Sequence, residues 1–579
     1  MPRARRVLFV FAAFVSTSAA ARNELGFADF VAARYPDSVD MSAYAADTVA
    51  QPPANRFEGR LILSGQPRVR MLVADAEFVS RRDAELAGTF PADFDFEFVQ
   101  DGDTLIPLRR GPIAGRHGWW EFALEPGRVW NEADDQGYTR AAIPFALVQK
   151  NANCTHNGVL MLLFKVDGAV AHAAMQISSE TCKYLQLDMW GMLKARYVPE
   201  PVVRRAEAIA AWRKESAARL PVRTMEQLGI DHPDIDIENF FIGDAAGRTL
   251  TGLVVDGIHY RSGCATRHGD FPYCDSLDLP SFSLAKTVVA GLALMRLQRL
   301  YPGASDLDVS RYAGAPCRAP SWQGARAIDL LDMASGHYDS PAYMADEDAA
   351  KVARFFDATG YADKLAFACT AYPRKETPHG RWVYRTSDTF LLGATLTNWF
   401  RSLPGHEHGD VFDDVVVRDL YAPLDLSPTA RVSRRTYDAR AQPFFGWGLT
   451  LLGDDVAKLA RFLGPQRGMI GETSPLDRTL LDQAMQRDEG HRGLVAAHLT
   501  QFRYQHGLWA RNVQKEIGCA APAWVPFMAG FGGITVAMFP NGVVWYNFAD
   551  DGQLKSIDFA RPAIEANKLS GFCPTRSTK

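Results

Sequence analysis

The sequence lacks an excess of positive charge. Its 579 residues contain 63 Lys and Arg against 67 Asp and Glu, which gives a formal net charge of −4 at pH 7. A protein that neutralises a phosphate backbone needs clustered basic residues. Nucleic acid is therefore not an expected partner.

Metal-binding spacings are missing as well. The 13 histidines are scattered, without the H-E-x-x-H pattern that places two His on one helix face. The eight cysteines include no C-x2-C pair of the kind that holds structural zinc. We expect neither a metal site nor a cofactor.

Long hydrophobic runs are absent except at the N-terminus. Basic residues within 3–6 precede an apolar run over 7–15, and small residues follow up to Ala21. This layout is typical of a cleaved secretory signal peptide over 1–21. The run is shorter than the ~20 residues that span a bilayer, so an uncleaved anchor is the less favoured alternative. The sequence predicts a secreted or periplasmic protein without stable membrane insertion.

The even number of cysteines fits an oxidising compartment. Short loops close most easily, which favours sequential pairing. The predicted disulfides are Cys154–Cys182, Cys264–Cys274, Cys317–Cys369 and Cys519–Cys573. Several free buried thiols are the open alternative.

The N-terminal half is rich in predicted strands. From about 55 to 177, short β-branched and aromatic runs alternate with turn residues, which predicts a sandwich or a barrel. Its tryptophans, Trp119, Trp120 and Trp130, either line a ligand groove or pack in a core.

A helix-forming stretch over 200–220 carries alternating charges, and Pro221 ends it. We therefore place a β-rich domain of unknown role at 22–220 and a second domain at 221–579. In the second domain, strand-like runs come first, helices follow, and two strands close it around a hairpin turn at 539–542. The first and last strands are expected to share one antiparallel sheet covered by helices, an α+β arrangement.

An S-x-x-K pattern at Ser283 and Lys286 is the first candidate for catalytic residues. It lies at the start of a long apolar helix that is predicted to extend to Leu297. Positions i and i+3 share a helix face, so the amine can reach the hydroxyl. A serine nucleophile needs a base beside it, and lysine is a base only if burial or positive charge lowers its pKa. The pattern also arises by chance, as a surface lysine beyond an N-cap serine.

Six stretches in a fixed order resemble the serine β-lactamase-like family, in its class C branch with penicillin-binding-protein-type esterases and 6-aminohexanoate-dimer hydrolases. They are residues 281–292, 327–337, 384–393, 445–463, 504–509 and 529–534. The resemblance implies a β-lactamase-like antiparallel sheet with helices over about 235–565. It leaves the N-terminal half unexplained.

The resemblance also implies roles for individual residues. Ser283 would be the acylated nucleophile, and Lys286 would keep it deprotonated or shuttle its proton. Tyr384 would exchange a proton with Lys286, the leaving group and the attacking water, which a phenol can do when a cation lowers its pKa. The N–H groups of Ser283 and of a residue in the glycine-rich strand, taken as Gly530, would form the oxyanion hole.

The sequence departs from the family where a Lys-Thr-Gly or His-Thr-Gly motif is expected, because Phe-Met-Ala-Gly stands at 527–530. The missing cation indicates that a β-lactam carboxylate is not well bound, which favours an amidase or esterase. The register of Gly530 is open by a residue or two. His337 and Asp388 could touch substrate, or else form a cap or structural hydrogen bond.

Two functions remain open. The first is a secreted serine hydrolase that cleaves an amide or ester in a small-molecule or short peptide-like substrate through a Ser283 acyl-enzyme. The second is a non-catalytic protein on the same fold that binds cell-wall peptide or glycan. Because fold alone does not decide function, the presence of Ser283, Lys286 and Tyr384 together favours the enzyme.

Overall fold

The computed structural model describes residues 25–574 except 36, 244 and 551–556. The predicted signal peptide at 1–21 lies outside the described residues. Among the helices that are described, none is both long and apolar enough to cross a membrane.

The N-terminal half forms a ten-stranded antiparallel sheet. Its strands are β1 (Glu58–Ser64), β2 (Arg68–Ala74), β3 (Asp95–Asp101), β4 (Thr104–Pro107), β5 (Trp120–Leu124), β6 (Gly127–Trp130), β7 (Thr139–Gln149), β8 (Thr155–Phe164), β9 (Ala173–Thr181) and β10 (Leu185–Pro199). Because β1 pairs with both β3 and β10, the sheet closes on itself in the order β1-β3-β4-β6-β7-β8-β9-β10. Of the two predicted arrangements, the closed one is therefore present.

The closed sheet is filled by side chains. On β8, Leu160 and Leu162 belong to the core inside the sheet. Their neighbours Val159 and Met161 face outward, into a core that they share with the C-terminal half. Trp120 is fully buried in the inner core and donates its indole N–H to a backbone carbonyl, so it packs a core and lines no groove.

Three helices accompany this sheet: α1 (Phe27–Ala32), α2 (Arg81–Ala87) and α3 (Arg205–Ala218). Helix α3 is the helix predicted over 200–220, and it has no buried residue. It leads to the second sheet. One hydrophobic core contains residues of both halves. The division of the chain into two domains at 221 therefore stays a prediction.

The C-terminal half contains a nine-stranded sheet and two short strand pairs. The strands are β11 (Val222–Thr224), β12 (Arg248–Val255), β13 (Ile258–Arg261), β14 (Ala265–Thr266), β15 (Gly269–Asp270), β16 (Leu279–Pro280), β17 (Thr450–Leu451), β18 (Leu494–Val495), β19 (Phe502–Gln505), β20 (Leu508–Asn512), β21 (Trp524–Gly530), β22 (Ile534–Met538) and β23 (Val544–Ala549). Strand β12 pairs antiparallel with β23. The predicted pairing of first and last strands, and with it the α+β class, is confirmed.

Helices pack around this second sheet. They are α4 (Met225–Asp231), α5 (Leu292–Leu300), α6 (Val309–Tyr312), α7 (Ala327–Leu331), α8 (Ala353–Asp357), α9 (Tyr361–Thr370), α10 (Thr386–Arg401), α11 (Gly453–Leu463), α12 (Arg478–Ala484) and α13 (Ala560–Leu569), with π-helical segments at Lys286–Gly291 and Val411–Tyr421. The predicted helix over 283–297 is present, but it is not α-helical throughout. It starts as a 3₁₀ turn at Phe282–Leu284, continues through the first π-helical segment and becomes α-helical at Leu292.

All four predicted disulfides are present. They join Cys154 to Cys182, Cys264 to Cys274, Cys317 to Cys369 and Cys519 to Cys573. The alternative of free buried thiols is thereby excluded for these cysteines.

A buried ion cluster links the two halves. The guanidinium of Arg110 contacts the carboxylates of Glu125 and Glu215, and all three side chains are less than a tenth exposed. Glu125 also accepts a hydrogen bond from the Thr429 hydroxyl, across the interface. Burial raises the pKa of Glu125, because its charged form loses water.

We expect Arg110→Met to destabilise the fold by about 3–5 kcal/mol, because it leaves the buried Glu125 carboxylate without its cation, whereas Glu215 keeps its contact with Arg219. Thermal and urea unfolding measure this loss. The matched control is Arg60→Met, since the Arg60–Asp95 pair is 40% and 47% exposed and such surface pairs contribute about 0–1 kcal/mol. Equal losses in both variants would contradict a structural role for the buried cluster.

Candidate active site

The candidate nucleophile lies on a tight turn between β16 and the π-helical segment. Ser283 is the middle residue of the 3₁₀ turn and is partly exposed. The residue before it, Phe282, has φ of +38°, a conformation that costs a non-glycine residue about 1–3 kcal/mol. Lys286 follows one helical turn later and is only 2% exposed. The turn therefore presents a hydroxyl at the surface and a buried amine beneath it.

The amine of Lys286 lies in a ring of oxygen atoms. Its Nζ is 2.8 Å from Ser283 Oγ, 2.9 Å from Thr386 Oγ1 and 3.3 Å from the carbonyl oxygen of Gly446. Burial lowers the pKa of Lys286 to about 8, although the Glu347 carboxylate opposes this shift. A substantial neutral fraction near pH 8 makes this lysine a suitable general base.

Tyr384 completes the arrangement from the other side. Its hydroxyl donates a hydrogen bond of 2.8 Å to Ser283 Oγ, and its ring lies 4.9 Å from Lys286 Nζ. Sequence reasoning expects a cation to lower the pKa of this phenol. Instead, burial raises its pKa well above 10, and the nearby Glu347 carboxylate adds to the effect. The phenol is therefore a proton donor at neutral pH.

The predicted glycine-rich strand reaches the nucleophile turn. Gly530 ends β21, and a Cβ placed on it would lie 3.1 Å from the carbonyl oxygen of Ser281. The absence of a side chain therefore allows the close approach of strand and turn. Upstream, Phe527 is fully buried in an aromatic core and Met528 is 2% exposed, so neither side chain supplies the cation of the family's Lys-Thr-Gly motif.

Two weaker candidates have structural surroundings instead. His337 stacks on Trp322 at 3.8 Å between ring centroids and is 2% exposed. Asp388 is buried beside Arg385, and it also accepts a hydrogen bond of 3.0 Å from the Ser335 hydroxyl. The structural alternative that the sequence left open therefore applies to both.

Glu347 is a site residue that sequence reasoning missed. Its carboxylate accepts hydrogen bonds from both the backbone N–H and the hydroxyl of Thr386. Because the Thr386 hydroxyl also contacts Lys286 Nζ, Thr386 connects the Glu347 carboxylate to the Lys286 amine. Glu347 lies in an irregular segment between α7 and α8 and belongs to no recognisable motif, so nothing local in the sequence singles it out.

We expect Glu347→Gln to lower the pH at which Ser283 becomes reactive. The carboxylate favours the charged form of Lys286, so its removal lowers the lysine pKa below about 8 while the amide keeps an oxygen that can accept from Thr386. The pH profile of Ser283 labelling by a fluorophosphonate probe measures the shift. A midpoint that stays in place or rises would show that Glu347 does not act on Lys286.

An aromatic wall lies beside the nucleophile. We use this name for Phe78, Tyr184, Phe282 and Phe531. The Phe531 ring centroid lies 5.7 Å from that of Phe282, 6.1 Å from that of Tyr184 and 5.8 Å from that of Phe78. The ammonium of Lys183 is 5.4 Å from the Phe531 centroid. Phe78, Tyr184 and Lys183 come from the N-terminal half, which therefore contributes side chains to the surroundings of Phe531.

No protein-family profile matches the chain, and no curated protein matches it. Among solved structures, it is similar to a candidate 6-aminohexanoate-dimer hydrolase from Bacillus anthracis, at 14% identity and a TM-score of 0.42 over 61% of this chain and 87% of that one. A penicillin-binding protein homologue from Caulobacter crescentus has 15% identity and a TM-score of 0.40 over 57% and 96%. A β-lactamase/D-alanine carboxypeptidase from Pseudomonas syringae has 12% identity and a TM-score of 0.39 over 63% and 100%. These names match the groups that the sequence resembles.

Proposed function

We propose that this protein is an exported serine hydrolase that cleaves an amide or ester through an acyl-enzyme on Ser283. One observation carries the proposal: Ser283 Oγ lies 2.8 Å from both Lys286 Nζ and the Tyr384 hydroxyl. A nucleophile, a base with a lowered pKa and a proton donor within bonding distance are the groups that acyl transfer needs. Four disulfides in the described residues support export.

In the proposed reaction, neutral Lys286 takes the proton of Ser283 as Oγ attacks the carbonyl carbon of the substrate. The tetrahedral oxyanion would be held by the N–H of Ser283 and a donor at the Gly530 end of β21. As the carbonyl re-forms, the Tyr384 hydroxyl beside Oγ gives its proton to the leaving amine or alcohol, and the proton held by Lys286 passes to the Tyr384 oxygen, so that both groups return to their starting states. Water then attacks the ester of Ser283, assisted by the same groups, and releases the acid.

The surroundings of Ser283 favour a particular substrate class. The aromatic wall supplies apolar contact next to the scissile bond. No cation stands at 527–530, so a β-lactam carboxylate lacks the partner that the family's lysine would supply. We therefore propose esters or amides with an apolar group, in small molecules or short peptides, as substrates.

A labelling experiment and a substrate panel test the proposed function together. A fluorophosphonate probe is expected to add one covalent adduct to the wild-type protein, read by intact-mass spectrometry. Apolar acyl esters and D-amino-acid amides are expected to be cleaved faster than β-lactams. If the protein forms no adduct and cleaves nothing in the panel, the proposal fails and a non-catalytic protein that binds cell-wall peptide or glycan becomes the better account.

We expect Tyr384→Phe to reduce turnover about 10²-fold, at the lower end of what a positioned proton donor contributes. The phenyl ring keeps the contact with Lys286 and loses only the donor to Ser283. Steady-state hydrolysis of an activated and an unactivated ester measures the effect. The loss should be larger for the poorer leaving group, and an equal loss for both would argue against proton donation.

A further inference from the structure

One asparagine from the N-terminal half reaches the nucleophile turn. Asn153 lies in the short connection between β7 and β8, next to Cys154, whose disulfide with Cys182 ties the connection to the end of β9. The Asn153 side chain is fully buried. This residue lies outside the part of the chain that carries the family resemblance.

The amide group of Asn153 has hydrogen-bond partners on both of its polar atoms. Its Oδ1 accepts from the backbone N–H of Phe282 at 2.8 Å and from the Ser281 hydroxyl at 3.1 Å. The same oxygen accepts from the backbone N–H of Gly448 at 2.9 Å, and Nδ2 donates to the carbonyl of Leu449 at 2.9 Å. One side chain thus joins two backbone segments that are distant in sequence.

Both segments belong to the candidate active site. The first contains Phe282, whose positive φ orients the next residue, Ser283. The second follows Gly446, whose carbonyl oxygen accepts from Lys286 Nζ. A strained backbone persists only where its surroundings hold it in place, and the hydrogen bond from the Phe282 N–H to Asn153 is such a restraint.

We propose that Asn153 is a positioning residue that holds the nucleophile turn and the Lys286 acceptor in register, so that the N-terminal closed sheet is a working part of the active site. This inference rests on the proposed serine hydrolase function. Asn153 touches no reacting atom. It acts through the backbone of Phe282 and through the segment after Gly446.

The chain offers a matched control in Asn157. It lies on β8, is 1% exposed, and also joins the two halves, with Nδ2 donating to the carbonyl of Asp278 and Oδ1 accepting from its N–H, both at 2.9 Å. Removing either asparagine deletes buried hydrogen bonds across the same interface. Only Asn153 contacts the nucleophile turn.

The test compares Ser283 labelling by a fluorophosphonate in the full-length wild type, Asn153→Ala and Asn157→Ala. We expect Asn153→Ala to lower the maximal labelling rate at least about 30-fold, with the half-saturating probe concentration changed by less than about threefold. Asn157→Ala should keep the maximal rate within about threefold of wild type. Melting temperatures are recorded for both, so that a loss of stability is separated from a loss of reactivity.

Asn153→Asp adds a second variant of the same shape. In Asn153→Asp, a carboxylate oxygen can still accept hydrogen bonds from the backbone N–H groups of Phe282 and Gly448, but no group donates to the Leu449 carbonyl. The maximal labelling rate of this variant should therefore lie between those of wild type and Asn153→Ala. If Asn153→Ala does not fold, this variant is compared with Asn157→Ala in its place. The inference is overturned if the Asn153 variants lose no more maximal rate than Asn157→Ala, or lose only probe affinity. An unlabelled wild type would instead overturn the proposed function, and the inference with it.

Discussion

Ser283→Ala is expected to abolish both ester hydrolysis and the covalent adduct, with activity at least about 10⁴-fold below wild type. The hydroxyl is the only group of Ser283 that both Lys286 and Tyr384 contact, and alanine leaves them without an atom to activate. The side chain is small and partly exposed, so the fold should be retained. Hydrolysis rates and intact mass after probe treatment measure the outcome.

Ser276→Ala is a suitable control for that experiment. Ser276 lies in a short 3₁₀ turn upstream of the nucleophile and is 7% exposed, and it has no contact with Lys286 or Tyr384. Replacing Ser276 by alanine should leave the rates of hydrolysis and of labelling within about twofold of wild type, as expected for a residue outside the site. If Ser283→Ala kept its activity while Ser276→Ala lost it, the nucleophile would have been assigned to the wrong serine.

Lys286→Met is expected to reduce acylation of Ser283 about 10³-fold and to remove its pH dependence. Methionine keeps an unbranched apolar side chain in the same buried space but cannot accept a proton. In the wild type, the neutral fraction of Lys286 grows as pH rises through its pKa of about 8, so acylation should rise with a midpoint near that pH and level off above it. A wild-type rate that falls over this range would mean that the charged amine is the active form.

A second buried lysine, Lys364, provides a control for the pH experiment. Burial lowers the pKa of Lys364 to about 7, and its ammonium lies about 5 Å from the rings of Phe355 and Phe444. Lys364 therefore titrates in a pH range similar to that of Lys286, but it lies away from Ser283. We expect Lys364→Met to leave the midpoint near pH 8, whereas a midpoint that disappears in this variant would assign the pH dependence to Lys364.

The candidate catalytic set was predictable because its parts have local patterns. Ser283 and Lys286 are three residues apart, a spacing that places them on one side of an α or 3₁₀ turn, and the 3₁₀ turn at Phe282–Leu284 brings the two side chains into contact. Tyr384 precedes a strongly apolar helix, and Gly530 lies in a glycine-rich strand. These four positions stand in the order that the family resemblance implies, and the structure brings them together.

The supporting residues were not predictable, because they act across long separations in sequence. Asn153 contacts Phe282 from 129 residues away, and Glu347 contacts Thr386 from 39 residues away. An asparagine in a turn and a glutamate in an irregular acidic segment are ordinary at those positions. The raised pKa of Tyr384 was also missed, since its burial depends on packing that only the folded chain defines.

The assignment of the nucleophile is tested most directly by mapping the site of the fluorophosphonate adduct in the wild-type protein with proteolysis and tandem mass spectrometry. The proposed function predicts a single modified peptide, with the phosphonate on Ser283. An adduct on another serine, or no adduct at concentrations that saturate known serine hydrolases, would contradict it.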